Sequence, residues 1–175
     1  MDKFATQKIL HENKDRYIAT KCLEHLFRPY TVTIAGTTLY SPVDLICTVD
    51  AGDKVGKFNV EVKSRNKDAE KLAKYPNCEL KVDKLERILK ATPENTVGLY
   101  MVLLNDTTCI VYNLKVIDWK TVPTFEWRLL ETQVNPDSTY KNYLTYSIPI
   151  SLAVAKLDIT GYVKEWYANE YSISF

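Results

Sequence analysis

Histidine is scarce in this chain: its 175 residues include two, His11 and His25. The four cysteines, Cys22, Cys47, Cys78 and Cys109, lie far apart and form no C-x-x-C pair. That argues against a Cys/His zinc site. Cys47 and Cys109 sit inside apolar runs, where a free cysteine acts as a small buried hydrophobe, so a reducing compartment is expected. No apolar stretch approaches the ~18 residues that a membrane helix needs, and the first residues (MDKFATQKIL) lack the apolar segment of a signal peptide. A cytoplasmic location without membrane association is the expectation. No G-x-x-x-x-G-K-[ST] or G-x-G-x-x-G run occurs, so nucleotide-cofactor chemistry has no support. Ser41 and Ser64 have no histidine nearby in the sequence, which disfavours a serine hydrolase. The formal net charge is +1, so any nucleic-acid binding must come from a local patch and not from bulk charge.

Hydrophobic residues make up 46% and charged residues 26%, the balance of a globular domain. The length suits a single domain with a real core. Periodicity predicts a helix over 3–27, with Phe4, Ile9, Ile18, Cys22, Leu23, Leu26 and Phe27 as its stripe. Arg28-Pro29 ends it, because the residue before proline avoids the helical region. Three strand signals follow: 31–39 with a break near Gly36, 44–50 (DLICTVD) and 57–65 (KFNVEVKSR), the last two joined by a turn at 51–56. Residues 66–77 read as a loop or broken helix. Residues 79–91 read as a helix with Leu80, Leu85, Ile88 and Leu89 on its apolar side. The run at 96–104 (TVGLYMVLL) is apolar throughout, as suits a strand covered on both faces, and 109–114 returns as another strand after a turn at Asn105-Asp106. Beyond Lys115 the signal weakens: 122–131 is a short strand or irregular, 135–138 a loop, and 161–170 a helix.

One constellation carries chemistry. In the strand at 57–65, Phe58, Val60 and Val62 point one way, while Asn59, Glu61 and Lys63 point the other. Asp44 opens the preceding strand. If the two strands pair through the 51–56 turn, Asp44, Glu61 and Lys63 converge. Two carboxylates suit Mg²⁺ or Mn²⁺, which prefer hard oxygen donors, and the Val62 carbonyl offers a third oxygen. Lys63 would stand beside the metal, placed to orient or help deprotonate a water and to balance charge on a phosphate.

The segments Ser41-Pro42-Val43-Asp44-Leu45-Ile46 and Val60-Glu61-Val62-Lys63-Ser64 resemble the PD-(D/E)XK nuclease superfamily, the restriction-endonuclease-like and Holliday-junction-resolvase-like proteins. The resemblance covers roughly residues 10–115. It implies an α/β fold with a restriction-endonuclease-like core, a central mixed β-sheet flanked by helices in the order αβββαβ. The whole chain, 1–175, would be one nuclease-like domain, with its core at about 3–115 and a C-terminal extension at 116–175. It further implies a Mg²⁺- or Mn²⁺-dependent phosphodiesterase, with DNA as the expected substrate. Members place a Lys, Gln or Tyr on the helix after the E-x-K strand; Lys81 and Lys84 are the matching positions, and Lys84 is preferred. The first-helix acid of many members falls on Arg16, with Glu12 and Asp15 the nearest acids. A chain this small would also fit a phage-encoded protein working in a host cytoplasm.

Residues 57–90 hold ten basic and six acidic side chains, whereas 91–175 hold six basic and nine acidic. Lys63, Arg65, Lys67, Lys71 and Lys74 would suit a phosphate backbone, with Lys81 a further nucleic-acid-binding candidate, against the plainer reading of a solvated lysine-rich loop. Aromatic residues near that loop are few, so base stacking is not expected there. The twelve tyrosines and three tryptophans concentrate late in the chain. Core and half-exposed strand positions are the plain reading; a stacking surface or a homo-oligomer interface is the alternative. An inactive nuclease-fold binding or assembly module stays open beside the enzyme.

Overall fold

The computed structural model describes residues 3–38, 41–130 and 140–172. Helix α1 (Lys3–Leu26) ends just before Arg28-Pro29, as expected. Its buried stripe starts at Lys14 and continues through Ile18, Ala19, Cys22 and Leu23. Ile9 is exposed, and the side chain of Phe4 is outside the described residues. Strands β1 (Thr31–Gly36), β2 (Leu45–Asp50) and β3 (Val55–Arg65) form an antiparallel meander. The expected extension of the first strand to Leu39 lies partly outside the described residues.

After β3 the chain makes a short helix α2 (Ala69–Lys74), strand β4 (Asn77–Lys81) and helix α3 (Val82–Ala91) before β5 (Val97–Leu104) returns parallel to β3. Here the structure corrects the sequence reading. Residues 79–81 are strand, not the first turn of a helix. Cys78 and Leu80 alternate into the core with period 2, and their strand finds a partner far downstream. Leu85 and Ile88 form the buried side of α3, while Leu89, one position round the helix, is exposed.

Strand β6 (Thr108–Asn113) pairs antiparallel with β5. Their turn places Asn105 and Asp106 at φ 53° and 54°, the left-handed region that Asn and Asp tolerate best among residues with a Cβ. Strands β7 (Thr124–Leu130) and β8 (Tyr140–Pro149) pair with each other, and β8 also pairs with β4, giving a small sheet of order β4-β8-β7. Strand β9 (Ala155–Asp158), which the sequence did not signal, extends the main sheet to the order β1-β2-β3-β5-β6-β9. Helix α4 (Thr160–Ser172) closes the described chain.

The fold is thus α/β, with a mixed central sheet flanked by helices. On one face α1 covers Leu99, Met101 and Leu103 of β5, and Ile159 and Val163 of the C-terminal segment join that cluster. On the other face α3 and the small sheet cover Tyr100, Val102 and Leu104. Strand β5 is buried from Gly98 to Leu104, which explains its unbroken apolar run. Tyr100 Oη donates to the Glu79 carbonyl at 2.7 Å. A fully buried tyrosine of the large sheet therefore satisfies its hydroxyl on the backbone of the small one.

Ile159 is fully buried between α1 and β9. Ile159→Ala is expected to cost about 2–5 kcal/mol in urea unfolding, within a single transition. A change below about 0.5 kcal/mol, the size of a surface substitution, would show that the C-terminal segment adds nothing to the core.

Candidate active site

The β2–β3 register pairs Leu45 with Val60, and one step back along the ladder sets Asp44 opposite Glu61. The two carboxyls lie within hydrogen-bonding reach of each other. Leu45, Cys47 and Val49 point toward α1, so Asp44 points to the opposite face, the one that carries Glu61 and Lys63. The Asp44 N–H donates to the Val60 carbonyl at 2.9 Å. The Asp44 Oδ2 accepts the Val62 N–H at 2.8 Å. A residue in an extended strand directs its N–H and its carbonyl to the same side. The Val62 carbonyl therefore faces the gap beyond the end of β2, where the Asp44 side chain sits.

Glu61 is 5% exposed, an unusual degree of burial for a carboxylate. Lys84, on the first turn of α3, brings its Nζ to 2.9 Å from Glu61 Oε2. The approach is a charge contact without hydrogen-bond alignment, so Oε2 is buried with no directed donor. Burial pushes the Glu61 carboxyl up to about 7, the negative charge of Asp44 adds to the rise, and Lys84 opposes it. Helix α3 is seated on β3 at its other end as well: Asn59 Nδ2 donates to the Ala91 carbonyl at 3.1 Å and lies 3.3 Å from Thr92 Oγ1. Asn59, Glu61 and Lys63 share one strand face, so a single phase both docks the helix and builds the site.

Lys63 is exposed and makes no ion pair among the described residues. Asp15 lies on the other side of the sheet, where its Oδ1 accepts the Ser64 hydroxyl at 2.6 Å. Among the described residues no three His, Cys, Asp or Glu side chains gather into a metal-holding group, so neither Glu12 nor Asp15 joins the pair. Arg16, at the position of the expected first-helix acid, reaches toward Gly36 of β1. The donor set is two carboxylates and a carbonyl. It suits a hard divalent cation on two counts: an oxygen of Glu61 is buried without a directed partner, and all the donors are oxygen.

The basic residues divide. Lys67 is tied into the fold, with Nζ at 2.6 Å from Glu79 Oε1 and 2.7 Å from the Asn77 carbonyl. Arg65 Nε lies 3.8 Å from Glu79 Oε2. Lys71 and Lys74 are exposed on α2. Lys81 is on β4, not on the helix, with its Nζ 3.4 Å from the centre of the Tyr143 ring. Of the late aromatics, Trp119 packs on Tyr146 and Trp166 on Tyr17, the plain core roles. Trp127 and Tyr143 instead stand beside the basic loop. No local signal could have placed them there, because they arrive through a sheet pairing made some 65 residues downstream of β4.

No family profile and no curated protein matches the sequence. Among solved structures, Hjc of Archaeoglobus fulgidus, described as a Holliday junction resolvase from an archaeal hyperthermophile, is similar over 87% of this chain and 96% of its own, at 12% identity and a TM-score of 0.44. At those values the likeness is one of chain course, and the site stands on its own residues.

With its carboxyl near pH 7 in the fold and at its ordinary 4.5 in the unfolded chain, Glu61 holds an extra proton in the native state between those values. Metal-free protein should therefore lose stability as pH rises from about 5 to 7, and level off above, by about 2–3 kcal/mol. Glu61→Gln should flatten that slope. Urea unfolding in EDTA across this range checks it; parallel profiles for the two proteins would refute the buried, raised carboxyl.

Proposed function

We propose that the chain is a Mg²⁺- or Mn²⁺-dependent nuclease that hydrolyses phosphodiester bonds of DNA, built as one domain over residues 1–175. The observation that carries this reading is Glu61, buried beside Asp44 with an oxygen that no directed donor satisfies. Two carboxylates pressed together where water has little access repel each other, and a divalent cation relieves that repulsion. Asp44, Glu61 and the Val62 carbonyl would hold the ion. When bound, it supplies an activated water and polarises the scissile phosphate.

The residues of the chain do the positioning. Asp44 is fixed by the Val62 N–H, so its second oxygen keeps a constant direction. Lys63, solvent-facing and on the strand face of Glu61, can hold the attacking water and a non-bridging phosphate oxygen. Lys84 pairs with Glu61 in the metal-free protein; with Glu61 engaged as a ligand, its ammonium would be free to face the phosphate. The water oxygen would form the new bond to phosphorus as its proton passes to solvent, and the ester bond opposite would break, the departing oxygen taking up a proton from solvent. Arg65 and Lys71 would take phosphates along the strand, while Lys67 is held on Glu79 and Asn77 and Lys81 lies over the Tyr143 ring.

A catalytically inactive binding or assembly module is the competing reading, favoured by the Glu61–Lys84 ion pair and the small donor set. Incubation of plasmid, linear and branched DNA with Mg²⁺ or Mn²⁺ separates the two. The nuclease reading expects nicking or cleavage by the wild type, and a loss of about a hundredfold or more in both Asp44→Ala and Glu61→Ala. Equal behaviour of the three proteins would leave only the binding module.

A further inference from the structure

Beyond Arg65 the chain leaves the main sheet and passes over the outer face of the small one. Between them lies a cavity of about 860 Å³, within the roughly 300–1,000 Å³ usual for ligand sites. Arg65, Lys71 and Tyr75 line one wall, and Trp127 and Tyr143 the other. Trp127 is 46% exposed and Tyr75 56% exposed, so both rings keep accessible surface. Trp127 is steadied by Phe125, with ring centres 5.5 Å apart.

The charges of the lining leave an anion-attracting surplus. Four cationic side chains and two anionic ones face the space. Glu79 is engaged by Lys67 and Arg65, and Asp68 caps the backbone N–H groups of Glu70 and Lys71, so neither acid is unopposed. The loop wall is held in place. Asn105 Oδ1 accepts the Lys67 N–H at 2.7 Å, its Nδ2 donates to the Lys67 carbonyl at 2.7 Å, and its own N–H donates to the Arg65 carbonyl at 2.9 Å. Arg65 lies four residues beyond Glu61 on the same strand face, about 13 Å along β3. That is about four nucleotide steps at B-form rise, and fewer in a stretched strand.

We propose that this cavity receives an unpaired nucleotide of the strand being cut, its base against Trp127 and Tyr75 and its phosphate on Lys71 and Arg65. The assignment to a cut strand rests on the nuclease reading; the base-binding cavity itself does not. Stacking on aromatic rings needs a base out of its duplex, so the favoured substrate is DNA with unpaired residues next to the cleavage point, as in tails and flaps.

The test is fluorescence anisotropy in EDTA, where nothing is cleaved, with a blunt duplex, the same duplex bearing a single-stranded tail, and that duplex with an abasic tail. Wild type should bind the tailed duplex about tenfold or more tighter than the blunt or abasic one. Trp127→Ala should lose that preference while binding the blunt duplex as before, and Trp127→Phe should keep most of it. No preference in the wild type, or one untouched in Trp127→Ala, overturns the proposal. So does displacement of the tail by micromolar deoxyadenosine monophosphate, which would mark a free-nucleotide site. Because no metal is present, failure here leaves the carboxylate site untested, and inactive but tail-binding protein would instead count against the nuclease.

Discussion

Glu61 is a carboxylate buried beside a second carboxylate, and the surrounding elements are arranged around that placement. A lone charge in such a position is strongly unfavourable unless it is paired or takes up a proton. Lys84 provides the pairing, and burial together with the Asp44 charge outweighs it, so the Glu61 carboxyl stays raised. For Lys84 to reach, the first turn of α3 must lie over β3, and the Asn59 contacts at the far end of the helix hold it there. For α3 to start where it does, residues 77–81 must be strand, which commits β4 to the small sheet and brings β7 and β8 across the same face. One strained pair thus connects the main sheet, the helix and the small sheet.

The placement of the candidate residues was legible because it depends on strand phase. KFNVEVKSR alternates, which put Glu61 and Lys63 on one face, and DLICTVD is rich in β-branched and apolar residues; Asp44 could join them on the condition that the two strands pair through the turn between them. The apolar run that became β5 was readable for the same reason. What escaped depends on distant partners. Residues 79–81 carry good helix formers, yet pairing with β8 overrode that preference. Strand β9 is only four residues long, and its signal is its place at the edge of β6. The first-helix acids were ambiguous in sequence, and Asp15 went to Ser64 because α1 packs on the sheet face opposite Glu61.

The aromatic wall of the cavity is the clearest case of long-range information. The basic loop by itself reads as a solvated run of lysines with few rings nearby. The β7–β8 hairpin then sets Trp127 and Tyr143 beside it, turning a charged loop into one side of a lined space. Lys67 and Lys81 show the opposite lesson, since both are spent within the fold, on Glu79 and on the Tyr143 ring. A count of positive charges therefore overstates what is available to a phosphate backbone, and the two rings were missing from that count altogether.

Asp44, Glu61 and the Val62 carbonyl are proposed to form a cradle that a cation completes. Anomalous scattering from a crystal soaked in Mn²⁺ tests it most directly. A peak is expected in contact with both carboxylates and that carbonyl, with the Lys84 ammonium moved away from Glu61. No peak at that place, with the Glu61–Lys84 pair unchanged, would contradict it.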